Sequence, residues 1–175
     1  MLTERRKDYP HVTDLLKDAG LIDVTFMTEY ARDRGTAVHL ASALYHEDDL
    51  DEDSLDPAVN VYLEAYKRFL RMVEPKDVSC ELPLLNAELG YCGTADRCWK
   101  IHGRQAITDI KCGVKSPWHQ LQTAGYAGCY KVPLARFALY LKQDGTFELA
   151  EHKSRGDWPA FKAVLLLAQW RKANG

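Results

Sequence analysis

Apolar positions recur along this chain with two different periods, and the changes between them divide it into elements. Val59, Tyr62, Leu63, Tyr66, Phe69, Leu70 and Val73 fall at helical spacing and form one stripe, so residues 59 to 73 read as an amphipathic helix facing a core. Residues 12 to 20 read as a short helix capped by Thr13 and ended by Gly20. Residues 29 to 46 read as helical apart from Gly35. Stretches rich in strand formers run over residues 78 to 85, 91 to 99 and 105 to 110, and Lys100 to Arg104 suit a hairpin loop between the last two. Ser116 and Pro117 then suit the start of a helix carrying His119, Gln122 and Tyr126 on one face, with Gly125 and Gly128 letting it approach a sheet. Residues 134 to 142 and 146 to 152 read as two strands joined by a Gln143-Asp144-Gly145 turn, and Asp157-Trp158-Pro159 opens a last helix. The strand–helix–strand order from 105 to 140 predicts a crossover unit. The expectation is an α/β chain in one domain, with a central mixed sheet and helices on both faces. It comprises a helical part over about 12–75, a core over about 78–152 and a terminal helix over about 157–173.

Composition changes this picture little. With 175 residues, 46% hydrophobic and 27% charged, the chain has the makings of an ordinary globular core. No apolar run reaches membrane-spanning length, and the charged opening MLTERRKDYP does not read as a signal, so a cytoplasmic location is expected. The acidic run Glu47 to Asp53 lacks the glycine and spacing of a calcium loop and reads as solvated. Five cysteines, an odd count without a CxxC pair, read as packing residues in a reducing compartment, and zinc held with His102 or His119 lacks a recognisable spacing.

Charge is more informative locally. The net charge of −2 does not mark a nucleic-acid binder, yet from Asp96 to Lys131 six Lys/Arg face two acids, a local +4 that leaves −6 elsewhere. Inside this region lie Gly93-Thr94-Ala95-Asp96, then Asp109-Ile110-Lys111, then Gln122 and Tyr126. Alternation along a strand puts Asp109 and Lys111 on one face, and a hairpin folds Asp96 towards Asp109. Two carboxylates and the backbone carbonyl of Ile110 make a hard-oxygen site suited to Mg²⁺ or Mn²⁺, and an adjacent Lys can orient a water or neutralise charge. Upstream, His39 sits among small residues (Gly35, Thr36, Ser42, Ala43), which by itself fits a packed helical histidine.

Asp…Asp-x-Lys followed by QxxxY resembles the PD-(D/E)XK nuclease superfamily, nearest its RecB-like branch of phage-type recombination exonucleases. The match runs from about His39 to Tyr126, and GTAVH, GTAD and QTAGY together make it specific; a VTxxL…G opening comparable to that of the branch extends it towards Val12 and implies a short leader over residues 1–11. The resemblance implies a restriction-endonuclease-like fold and a metal-dependent DNA nuclease that leaves a 5′-phosphate. Asp96, Asp109 and Lys111 would be catalytic, with Asp96, Asp109, the Ile110 carbonyl and His39 as metal ligands. Gln122 and Tyr126 would orient the substrate strand and the site, and Arg97, Lys100, Arg104 and Lys115 would contact phosphate. Glu81 reads equally as an accessory acid or a solvated edge residue. No iron–sulfur cluster is expected, because no Cys precedes Cys80 or follows Cys129. DNA ends, and a phage single-strand annealing protein or recombinase, are the implied partners, in a bacterial cell or phage-infected host. The Pro of the motif is Ala95 here, a position that bears no ligand. Competing readings are a structure-specific, restriction-like or CRISPR-adaptation endonuclease, a non-catalytic single-strand binding module, and a scaffold in which Asp-x-Lys is coincidental.

Overall fold

A computed structural model describes residues 6–23 and 28–175. Among them, five strands and five α-helices alternate in a pattern close to that predicted. Helices α1 (Val12–Asp18), α2 (Glu29–His46) and α3 (Pro57–Val73) precede strands β1 (Lys76–Asn86), β2 (Tyr91–Ile101) and β3 (Arg104–Lys111). Helix α4 (Trp118–Ala127), strands β4 (Ala135–Leu141) and β5 (Phe147–Glu151), and helix α5 (Asp157–Asn174) complete the chain. Sheet order is sequential, antiparallel at every pairing except β3–β4, which is parallel and bridged by α4 as the expected crossover. Pro83 is tolerated within β1 because that strand lies at the sheet edge and leaves one side unpaired.

Local chemistry sets the element ends. Asp56 caps α3 through Ala58 N at 2.7 Å with Pro57 in the first turn, so the helix begins two residues before its apolar stripe. Thr28 caps α2 through Ala31 N, and the helix runs unbroken through Gly35. Two expected caps are not formed. Neither His11, the residue before α1, nor Pro117, the residue before α4, makes a side-chain cap. Thr13 lies inside α1 and turns its hydroxyl to Gln122, while Ser116 offers its own N–H to His119 Nδ1. The β2–β3 loop is also tighter than predicted. Pairing continues to Ile101↔Arg104, leaving His102 and Gly103 alone in the turn, both at positive φ (49° and 75°).

Two cores sandwich the sheet. One packs α2 and α3 (Val38, Ala41, Tyr62, Tyr66, Phe69) on Trp99, Ile110, Phe137 and Leu139. The other packs α1, α4 and α5 (Leu16, Tyr126, Phe161) on Leu84, Tyr91, Ala95 and Ile107. Gly125 and Gly128 admit aromatic rings of α5 as well as the sheet: a Cβ at Gly128 would lie 2.3 Å from the Trp158 ring and 2.6 Å from the Tyr91 hydroxyl. Residues 6–11 are also not a detached leader. Arg6 donates to Gly93 O and Thr94 Oγ1, and Pro10 O accepts from Cys92 N, tying this segment to β2.

The pleat breaks at one rung. In a regular strand, residues two apart share a face. On β2, Ala95 belongs to the α4–α5 core while Arg97 and Trp99 face α2 and α3. On β1, Leu82 and Leu84 lie on the former side and Val78 on the latter. Both strands therefore change face between the same partners, Leu82↔Ala95 and Cys80↔Arg97. The residues at the break are Glu81 and Asp96, and Glu81 adopts a left-handed φ of 45°.

Candidate metal centre and active site

The break in the pleat gathers acids. His39 Nδ1, projecting from α2, lies 3.4 Å from Asp96 Oδ1. His39, Glu81 and Asp96 each offer a ligand atom within 4.8 Å of the others. The second Asp96 oxygen accepts from Ile110 N at 2.6 Å, so the carboxylate bridges β2 to β3 where their ladder has opened. Asp109 and Lys111 emerge on one face of β3, as alternation requires, with Lys111 Nζ 2.7 Å from Asp109 Oδ2. Apart from that ammonium, Asp109 Oδ2 is buried and meets no donor among the described residues.

Behind Lys111 stands a buried relay. Its ammonium donates to Gln122 Oε1 at 2.8 Å, and Gln122 Nε2 donates to the Tyr126 hydroxyl at 2.9 Å and to Thr13 Oγ1 at 3.4 Å. The Trp118 ring lies beneath the ammonium, 4.7 Å from it. Gln122 and Tyr126 are only 5% and 4% exposed and meet the site through the Lys111 ammonium. His119, from the same helix stripe, turns instead to the Tyr140 hydroxyl at 2.8 Å.

The electrostatics follow from burial and proximity. Burial opposes charge on Asp96, but His39, Lys111 and the Ile110 N–H prevail and hold its carboxyl below the usual range. Burial likewise opposes the His39 imidazolium, and Asp96 reverses this, raising its affinity for a proton. At Asp109 burial wins: with Asp96 adding to it, the carboxyl is raised despite Lys111. Glu81 is raised by partial burial and by Asp96. Such a site favours an added positive charge.

Of the four expected phosphate contacts, Arg97 is placed otherwise. It is fully buried at 0% exposure and donates to Tyr66 Oη (2.9 Å), Asp96 O (2.6 Å) and Ser42 Oγ (2.7 Å). Facing α2 and α3, it braces the broken rung from inside and reaches no substrate. Lys100 pairs with Asp77 at 2.6 Å and Arg104 with Glu151 at 2.7 Å. Both sit at the far ends of their strands, about 13 and 17 Å of extended chain from Asp96 and Asp109. Neither is brought to the site. Lys115 lies on the loop after β3, paired with Glu148 and above the Tyr140 ring. Glu81, read equally as a solvated edge residue, stands with Asp96 and His39. Thr13, Trp118, Ser42 and Tyr66 had no local signal, because each meets its partner only through long-range packing.

No family model matches the chain, and no curated protein does. Among solved structures it is similar to LHK-Exo, an alkaline exonuclease from Laribacter hongkongensis, in complex with dAMP: TM-score 0.51, 12% identity, covering 97% of this chain and 91% of that one. A second structure of LHK-Exo gives TM-score 0.48 at 12% identity over 98% and 96% of the two chains. SSO0001 gives 0.43 at 13% identity over 93% and 77%. At this identity the likeness shows a shared fold. No helix among the described residues is long and apolar enough to cross a membrane.

Proposed function

We propose that this chain is a divalent-metal-dependent nuclease that hydrolyses DNA phosphodiester bonds. One observation carries the reading: a His–Glu–Asp cluster adjoins an Asp–Lys pair whose lysine is held by a buried glutamine relay. The donor set fits a hard cation, since it is rich in carboxylate oxygen and contains Asp109 Oδ2, a buried acceptor met by the Lys111 ammonium alone among the described residues. His39, Glu81 and Asp96 would hold the ion, flanked by Asp109 and the Ile110 carbonyl. When bound, it supplies charge neutralisation at the phosphate and a more acidic water.

The protein residues do the rest. Gln122 fixes the Lys111 ammonium beside Asp109, where it neutralises charge developing on a phosphate and can hold or release a proton at Nζ. Tyr126 and Thr13 fix Gln122 in turn, so the lysine is positioned before substrate arrives. Arg97 holds the Asp96 backbone and thereby the rung carrying the acids. Lys115, on the loop that follows Lys111, remains as the phosphate contact of the original four. The fold shared with a chain that is named an alkaline exonuclease, over 97% of this one, favours the end-directed form; a role in phage or bacterial DNA recombination or repair is carried by the sequence resemblance alone.

The test is digestion of end-labelled linear DNA, single- and double-stranded, beside a closed circle, with Mn²⁺, Mg²⁺ or EDTA. Expected is metal-dependent loss of linear DNA only, abolished in Asp109→Ala and reduced by orders of magnitude in Lys111→Ala. Cutting of the circle would replace the end-directed form with an endonuclease. No cleavage under any metal would overturn the nuclease.

A further inference from the structure

Among the described residues, Arg34 is a cation without a hydrogen-bond acceptor or a carboxylate partner. It lies on α2, five residues before His39, and its guanidinium sits between two tyrosine rings, 5.6 Å from the Tyr30 centroid and 5.2 Å from that of Tyr62. Tyr62 is buried in the core between α2, α3 and the sheet, 2% exposed, and forms a fixed floor. Tyr30 is 61% exposed. Among the described residues, no acceptor receives a hydrogen bond from Arg34, no carboxylate pairs with it, and its Nε is buried without a partner. Arg97 and Arg136, which also pack against the sheet, contrast with it: they donate to carbonyls, hydroxyls or a carboxylate. A guanidinium carries five donors, and leaving them unpaired near a low-dielectric wall is costly. Stacking fixes the orientation of Arg34 while leaving its donors uncommitted.

Its place relates it to the site. Arg34 is close enough to act electrostatically on Cys112, the residue that follows Lys111 at the end of β3. Along α2, Ser42 contacts Arg97, His39 contacts Asp96, and Arg34 comes next, about 7.5 Å of helix rise beyond His39. The helix thus runs from the acid cluster out past the Lys111 end of the sheet, with Arg34 and then Tyr30 on its outer turns.

We propose that Arg34 and Tyr30 form a nucleic-acid contact of this chain: Arg34 takes a backbone phosphate beside the scissile one, and the exposed Tyr30 ring stacks on an adjoining base. The inference rests on the nuclease reading. Planar, stacked guanidinium suits phosphate in a way an ammonium does not, and a tyrosine held by a cation on its inner face offers its outer face to any base. Sequence-independent stacking and phosphate contact suit a nuclease that must accept every sequence. The acids nearest on the same helix, Glu29 and Asp33, engage Arg32.

The experiment measures binding of a fluorescein-labelled single-stranded oligonucleotide in EDTA, where metal-dependent cutting is absent, over a salt series. Wild type, Arg34→Met, Arg34→Lys and Tyr30→Ala are compared, with folding checked by thermal melting. Arg34→Met keeps an apolar stem between the rings. Expected is a fall in affinity of about tenfold for Arg34→Met, with the slope of log affinity against log salt reduced by about 0.7, one phosphate contact on a single strand. Arg34→Lys recovers the slope and only part of the affinity. Tyr30→Ala weakens binding about fivefold or more with the slope unchanged, since stacking releases no counterion. An Arg34→Met protein that melts normally and binds with wild-type affinity and slope overturns the inference. Where wild type nevertheless cleaves DNA with Mn²⁺ or Mg²⁺, that result leaves the nuclease reading intact. A wild type that neither binds nor cleaves overturns both.

Discussion

Replacing Arg97 with Met tests whether this residue braces the site from within or touches DNA. The substitution roughly keeps side-chain volume and removes a fully buried charge with three hydrogen bonds, to Tyr66, Asp96 O and Ser42. Two of the three acceptors keep another partner. Ser42 Oγ still donates to His39 O at 2.8 Å, and the Tyr66 hydroxyl still meets His46 Nε2 at 2.6 Å. Lost outright are the bond to Asp96 O and the positive charge behind Asp96 and Glu81, the latter 3.9 Å away. A charge-assisted bond is worth about 1.5–3 kcal/mol, and removing one partner of a buried charge cluster costs about 3–5 kcal/mol. Methionine carries no desolvation penalty, which offsets part of this, so about 3 kcal/mol of stability should be lost. For a chain of this size that is a fall of about 6–12 °C in Tm. Urea unfolding followed by circular dichroism reads it as a lower midpoint at unchanged m-value. A loss below about 1 kcal/mol would refute the bracing role. So would unchanged stability together with weaker DNA binding, which would return Arg97 to the phosphate contact its sequence position first indicated.

Three further predictions follow from the same geometry. Gln122→Leu removes the acceptor that fixes Lys111 and should cut the rate about 10–100-fold with DNA affinity unchanged; equal loss in both would make Gln122 a substrate contact. Gly128→Ala drives a methyl into the Trp158 ring and should cost about 1–3 kcal/mol, read as a lower melting point, and a neutral result would mean that α5 yields at that contact. Burial, with Lys111 beside it, pushes His119 down to about 3, and burial with Arg136 pushes His152 down to about 4. Each is folded as the neutral ring, so its stability is fully present above the unfolded value of about 6.5 and lost as pH falls towards the folded one, by up to about 1.4 kcal/mol per pH unit. Urea titrations from pH 7 to 5 check this. His119→Asn should remove one proton from the slope, and an unchanged slope would show His119 already protonated in the fold.

Much of the architecture was legible in the linear pattern. The stripe from Val59 to Val73, the strand formers around Asp-x-Lys and the turn glycines are local signals, and each emerged as the predicted element. The pairing of Asp109 with Lys111 was legible too, because a strand's two-residue period leaves no other arrangement. Arg97 was misplaced because a cation beside the key Asp was counted with the local positive charge, and nothing local announces that β1 and β2 change face at Glu81 and Asp96 and turn it inward. Caps were the other weak point. Thr13 and Ser116 have the right chemistry, but Thr13 turns its hydroxyl to Gln122, 109 residues away, and Ser116 meets His119, three residues on, through its own N–H.

What the sequence determined by itself, then, is what depends on short-range periodicity: the elements, their order, and the presence of two carboxylates and a lysine on neighbouring strands. What only the tertiary structure decided is which charges share a volume. Glu81 joins His39 and Asp96, Lys100 and Arg104 are carried to the far ends of their strands, Arg97 turns inward, and Arg34 is left between two rings. The physical reason is that backbone period acts over a few residues, whereas Coulomb and desolvation energies depend on distance and burial in the folded chain. Neither quantity can be read before the strands have paired.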